Sequence, residues 1–200
     1  MDVAAPVQVL WFFQADLHAA NIEQRGCGSE FSVYHQGKKL GRARRNTPGR
    51  HVILNSLAAV AVALELEIEF SIIAQALEKF KGVQRRLQVK GEQQGILVVD
   101  DYGHHPTEVA ATLAAAKSGY PDRRTVLVFQ PHRYSRTRDL MDDFATVLSE
   151  ADALVLLDVY AAGEEPIARA DGRTMARAVR TRGAVDPVFV ENLDDLAGVL

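Results

Sequence analysis

Only one cysteine, Cys27, stands among the 200 residues, so no disulfide can close within the chain and a reducing compartment is expected. No uninterrupted apolar run is longer than Leu57–Leu64, far short of the ~20 residues that cross a bilayer. Met1–Pro6 places no basic residue ahead of an apolar stretch, so no secretory signal is expected there. Lys and Arg total 23 against 26 Asp and Glu, a net charge of −3, which excludes an overall basic field for nucleic acid or membrane. Neither G-x-x-x-x-G-K-[ST] nor G-x-G-x-x-G occurs, so the chain has no phosphate-cradling loop of its own. There is no internal repeat and no low-complexity segment. What is there is an ordinary globular composition, 48% hydrophobic and 24% charged. A cytoplasmic protein of more than one domain is the expectation.

The first part of the chain reads as α+β. Val7–Phe13 reads as a short buried strand, and Glu30–His35 with Lys39–Arg45 as a hairpin around Gly37-Lys38. Thr47-Pro48-Gly49 stops it. Arg50–Leu66 is long and Ala/Leu/Val-rich, which favours a buried helix over a strand. A second helix is expected over Ser71–Phe80, with Ser71 as N-cap and Gly82 ending it. A domain boundary is expected near Lys81–Gln84, dividing 1–82 from 83–200.

Beyond that boundary strands and helices alternate. Strands are expected at Ile96–Val99, Thr125–Phe129, Ala153–Val159 and Val188–Val190. The helices between them are Thr107–Lys117, begun by Pro106, then Thr137–Ser149 and Thr174–Thr181. This alternation implies an α/β domain with a parallel sheet covered on both faces.

Ligands of such sheets bind outside the carboxyl ends of the strands. Three polar clusters follow strands here, running Asp100–Pro106, Gln130–Arg138 and Asp158–Glu165, and all three are expected on one sheet edge. Arg133, Arg136 and Arg138 are permanently charged forks suited to carboxylate or phosphate. The first two sit three apart at a helix start, where free N–H groups also favour an anion. His104 and His132 can orient a substrate or exchange protons near neutral pH. Asp101 can accept from a ribose hydroxyl, an ammonium group or metal-bound water, and Tyr102 and Tyr134 offer flat faces or hydroxyls. Bland readings stand beside these. His105 can simply begin a helix, Arg138 can pair on a solvated face with nearby acids, and Glu164 and Glu165 can be loop solvation. His18, His35 and Cys27 are read as structural. Asn55, inside an apolar helix, needs a partner if buried, either backbone or ligand.

The segments DDYGHHPTE (Asp100–Glu108), FQPHRYSRT (Phe129–Thr137) and DVYAAGEEPI (Asp158–Ile167) resemble the carboxy-terminal domain of the Mur ligases, in their alanine-adding branch. PGRHVILNSLAAVAVA (Pro48–Ala63) resembles the end of that family's central ATPase domain, and FKGVQRRLQ (Phe80–Gln88) its interdomain junction. The resemblance implies a Rossmann-like, mostly parallel carboxy-terminal domain preceded by the α+β tail of the ATPase domain. It implies ATP-dependent amide formation in peptidoglycan synthesis: MgATP phosphorylates the lactyl carboxylate of UDP-N-acetylmuramate, and the amine of L-alanine attacks it. By motif, Asn55 resembles the adenine-reading amide, Arg86 the hinge arginine near ATP, and Asp101 the acidic residue on the ATP side. Tyr102, His104, His132, Arg133 and Arg136 resemble the surface that meets L-alanine and the reacting carboxylate. Val52 stands where the family usually has Asn. No metal ligand is assigned within the chain, because the family's metal ligands and phosphate loop lie upstream of the matched region. The resemblance therefore reads as a carboxy-terminal fragment, expected to be inactive without the amino-terminal half. Two other readings use the same residues: a receiver-like Mg²⁺ and phospho-acceptor module built on Asp101 and Asp158, and a metal hydrolase using His104, His105, His132 and Asp158.

Overall fold

The computed structural model describes residues 7–9, 17–25 and 28–200. Cys27 and most of the strand expected over Val7–Phe13 lie outside the described residues. The chain divides into two compact units. One takes the described residues up to Tyr102 together with Ala114–Pro121; the other takes Gly103–Leu113 and Asp122–Leu200.

In the first unit, β1 (Val7–Val9), β2 (Leu17–Arg25), β3 (Gly28–His35) and β4 (Lys38–Arg45) form an antiparallel sheet in sequence order. The β3–β4 hairpin turns on Gln36-Gly37 rather than Gly37-Lys38. Both residues have positive φ, 50° and 74°, as a two-residue turn matched to strand twist requires. Strand β2 is hidden in the sequence because a bulge between Ala20 and Glu23, with Asn21 at φ 50°, breaks the period-two pattern. Helix α1 (Arg50–Glu65) lays Ile53, Leu57 and Val60 against Phe31, Val33 and Ala43 of the sheet. Helix α2 (Phe70–Lys79) adds Ile73 and Leu77 to the same core. Its N-cap is Glu69 and not Ser71, whose hydroxyl donates to the Glu69 carboxylate at 2.8 Å. At its other end the buried Arg45 guanidinium donates to the carbonyls of Leu77 at 2.7 Å and Phe80 at 3.2 Å, and Asn46 donates to Glu78. Strand-end donors thereby satisfy carbonyls that a helix terminus leaves open.

Strands β5 (Gln88–Gln93) and β6 (Ile96–Asp100) form a separate antiparallel pair across Gln94-Gly95. This corrects the expectation that Ile96–Val99 opens the parallel sheet. The cause is local: a two-residue turn with φ 52° and 80° folds β6 back onto β5. β5 itself, QVKGEQ, is almost wholly exposed and carries too little apolar alternation to announce a strand.

In the second unit, β7 (Val126–Phe129), β8 (Ala153–Leu157) and β9 (Val188–Val190) form a parallel sheet in that order. Phe129, Leu154 and Leu156 face Phe144 and Leu148 of α5 (Met141–Leu148) and Met175 and Val179 of α6 (Gly172–Arg182). Val109 and Leu113 of α3 (Pro106–Gly119) join this core. The other face carries Val155, Leu157 and Val190 with Leu196 of a terminal 3₁₀ turn, while Val126, Val128 and Val188 are exposed. The helix expected over Thr137–Ser149 is two helices, α4 (Tyr134–Asp139) and α5, broken at Leu140, whose φ of −117° is not helical. Helix α6 is bounded by an Asp171 side-chain cap on the Thr174 N–H and by a left-handed Gly183. Among the described residues no helix is long and apolar enough to cross a membrane.

Candidate functional site

Two groups of polar side chains hold the site residues expected from sequence, one in each unit. In the second unit the loop after β7 and the loop after β8 are tied by main chain. His132 and Tyr160 form a parallel bridge, the Arg133 N–H donates to the Tyr160 carbonyl at 2.9 Å, and the Tyr160 N–H donates to Pro131 at 2.9 Å. The His132 ring stacks on Tyr160 with centroids 5.4 Å apart and lies 6.3 Å from the His104 ring. Arg133 precedes α4 with φ 74°, a left-handed conformation that is costly outside glycine and common at functional sites. Its carbonyl accepts from the Thr137 N–H and from the hydroxyl of Thr137, which is fully buried. Arg136, one turn along, donates to the His132 carbonyl at 3.2 Å.

The Glu164 carboxylate accepts from Ser135 twice, from the hydroxyl at 2.6 Å and from the N–H at 2.9 Å, and lies 3.9 Å from the Arg133 guanidinium. The reading of Glu164 as loop solvation is thus corrected: it caps the first turn of α4. The same bond corrects the expectation of free N–H groups there, since Ser135 is already taken by an internal anion. The Ser135 bonds, then the Arg133 charge, hold the Glu164 carboxyl below the usual carboxylate range. His132 is pushed below the ordinary imidazole value, first by burial and then by Arg136, Arg133 and His104. Its Nδ1 is buried without a hydrogen bond. Protonation there would add an unsatisfied donor among cations, so the neutral ring with Nδ1 bare is the favoured form.

The bland readings of two other residues hold. His105 accepts the Thr107 N–H on its Nδ1 at 3.3 Å and so helps begin α3, while Glu108 accepts the His104 and His105 N–H groups. Arg138 pairs with Asp139 at 2.7 Å on an exposed face. Asp158 ties down α6 by accepting the Gly172 N–H at 2.9 Å together with its neighbour Val159. Tyr160, Ser135 and Glu164 are the residues that sequence reasoning passed over as site members; only their place in the DVYAAGEEPI and QPHRYSRT segments pointed toward them.

In the first unit, Asp101 accepts the Leu87 N–H at 2.8 Å and the Tyr102 N–H donates to Arg85 at 2.7 Å. Arg86 is thereby held between two left-handed residues, Arg85 at φ 56° and Leu87 at φ 46°. The Arg85 and Arg86 guanidiniums lie 4.8 and 6.0 Å from the Tyr102 ring. His51 on α1 is lowered by burial, raised by Asp101 and lowered again by Arg86, which brings these three groups into one electrostatic neighbourhood. Asn55 lies one helical turn from His51. It is exposed, so the argument from a buried amide does not apply and its amide faces outward. Among the described residues no three His, Cys, Asp or Glu side chains are grouped to hold a metal ion. His104, His105, His132 and Asp158 do not form such a set.

Residues 85–199 match the family described as Mur ligase, glutamate ligase domain. The chain belongs to the Mur ligase family. A UDP-N-acetylmuramate–L-alanine ligase of Methylococcus capsulatus is 50% identical over an alignment of 190 residues that covers 92% of this chain and 40% of that protein. The solved UDP-N-acetylmuramate–alanine ligase of Thermotoga maritima shares 30% identity with a TM-score of 0.74, covering 90% of this chain and 39% of that one. A murein peptide ligase of Psychrobacter arcticus shares 26% identity with a TM-score of 0.58, covering 90% and 37%. This Mur ligase chain thus spans about two fifths of the length of the relatives it matches.

Proposed function

We propose that the chain carries the amino-acid-binding side of an ATP-dependent ligase that joins L-alanine to UDP-N-acetylmuramate in the cytoplasmic stage of peptidoglycan synthesis. Its domain division is then 1–82, the end of a nucleotide-binding domain, and 83–200, the amino-acid-binding domain. The observation that carries this reading is the arginine turn. Arg133 is fixed through its backbone to Tyr160 and Thr137, Arg136 through its guanidinium to the His132 carbonyl, and a neutral His132 stands beside them with His104. Two planar cations recognise a carboxylate by paired hydrogen bonds, and a neutral imidazole does not repel the amine that must approach it. Tyr102, in the first unit, is assigned to the amino-acid side by its place in the DDYGHHPTE motif alone.

The nucleotide-facing residues in this reading are Asn55, Arg86 and Asp101. The outward amide on α1 and the strapped arginine suit a purine and a phosphate chain. ATP, accompanied by Mg²⁺, supplies the phosphoryl group that activates the carboxylate. The residues of this chain bind and orient; none is assigned the bond-forming step.

Titration of the chain with L-alanine, followed by NMR, tests this. Binding at millimolar affinity is expected, weakened at least tenfold by Arg133→Lys or Arg136→Lys because lysine cannot form the fork. Equal binding of ethylamine, which lacks the carboxylate, would overturn it. With MgATP, UDP-N-acetylmuramate and L-alanine the chain alone should release ADP only at background, since its sequence has no phosphate-cradling loop.

A further inference from the structure

The loop after β8 carries one carboxylate whose geometry the proposed function leaves unused. Both oxygens of Glu164 are engaged by Ser135, and Arg133 stands 3.9 Å away, outside direct hydrogen-bond reach. The charge therefore acts on Arg133 while the guanidinium keeps its N–H donors open. The Arg133 side chain is about half exposed, at 51%. Its backbone is left-handed, and nothing in an arginine favours that conformation. The bonds to Tyr160 and Thr137 hold the Arg133 backbone itself, and something must also hold the first helical residues after it and the side chain.

We propose that Glu164 is a positioning residue that sets Arg133 for a substrate carboxylate, gripping Ser135 to fix the turn and aiming the arginine by its charge. The inference rests on the amino-acid-binding reading and deepens it. A competing role is an internal carboxylate that occupies the arginine until substrate displaces it. The 3.9 Å gap and the double engagement by Ser135 argue against that, because a competitor would bond to the guanidinium itself.

Three variants of the chain separate these roles. Glu164→Gln can keep both Ser135 contacts, since its amide oxygen accepts the N–H and its amide nitrogen donates to the hydroxyl, yet it loses the charge. Ser135→Ala removes only the hydroxyl arm. Glu164→Ala removes everything. Two readouts are taken: ¹⁵N relaxation of the Arg133 Nε–Hε group without ligand, and the dissociation constant for L-alanine. The expected result is a more mobile Arg133 Nε in Glu164→Gln and Glu164→Ala, with L-alanine bound about fivefold and at least tenfold more weakly. Ser135→Ala should fall between wild type and Glu164→Ala. An unchanged Arg133 signal in folded Glu164→Gln, or tighter L-alanine binding in it, overturns the proposal. Should Glu164→Ala not fold, the Gln and Ser135 variants decide. If wild type binds no L-alanine while Arg133 still loosens in Glu164→Gln, the positioning role stands and the amino-acid reading is what fails.

Discussion

Leu87 donates its backbone N–H to the Asp101 carboxylate at 2.8 Å, across a loop whose residues Arg85 and Leu87 are both left-handed. A buried leucine in that conformation is costly, and the carboxylate is what holds it. Asp101→Ala should lower stability by about 1.5–3 kcal/mol, the range for a hydrogen bond to a charged acceptor. Asp101→Asn, which keeps an acceptor oxygen, should cost less. The urea midpoint gives the size, and faster hydrogen exchange at Leu87 gives the place. If exchange accelerates equally throughout the first unit, the local account is wrong.

Gly172 opens α6 against the end of β8. A Cβ there would lie 2.5 Å from the Leu157 carbonyl oxygen and 3.0 Å from the Asp158 Cα, both backbone atoms that cannot swing aside. Gly172→Ala should therefore destabilise by about 1–3 kcal/mol, as overpacking does, despite alanine's better helix propensity. A thermal midpoint equal to wild type would show that the helix slides freely along the strand.

The hairpin turns hold an easy gain. Gln36 and Gln94 both occupy the first left-handed position of a two-residue turn, φ 50° and 52°, where asparagine is much better suited. Gln36→Asn and Gln94→Asn should each raise stability by roughly 0.5 kcal/mol, and the two should add because the turns are separate. Chemical denaturation of the double variant tests both size and additivity.

Stability should fall with acidification in two stages. His132 and His51 have folded values below the ordinary imidazole value, so the unfolded chain binds more protons as pH drops through about 6.5. Stability is complete above that point and is lost progressively down to the lowered folded values. Glu164 is likewise lowered, so its contribution survives to the carboxylate range and is lost as pH falls through its depressed folded value. Urea midpoints between pH 8 and 4 should show the histidine stage, and His132→Asn should flatten part of it. A midpoint that rises between pH 7 and 5.5 would reverse the sign and refute this account.

What could be read from the residues alone follows from how regular each element is. Helix α1 is a long apolar stretch, α6 spaces its apolar residues at helical period, strands β7 and β8 are short continuous apolar runs, and the cluster QPHRYSRT sits where a parallel strand delivers its ligand-facing loop. Strand β2 was illegible because its bulge at Ala20/Glu23 shifts the alternation, and β5 because pairing rather than burial holds it. The break at Leu140 was invisible because leucine is a good helix former, and only its backbone departs from helix. The capping role of Glu164 could not be read either. It lies 29 residues from Ser135, and nothing local to either residue announces the other.

The main-chain ties between Pro131–Arg133 and Tyr160 have a consequence for how this protein can vary. Backbone bonds do not depend on which side chain stands at a position, only on how many residues separate the partners. Substitution between Asp158 and Glu164, those two carboxylates apart, should therefore leave the arginine turn in place far more often than a one-residue insertion or deletion would. Over evolutionary time the rest of that loop is free to change its letters but not its length.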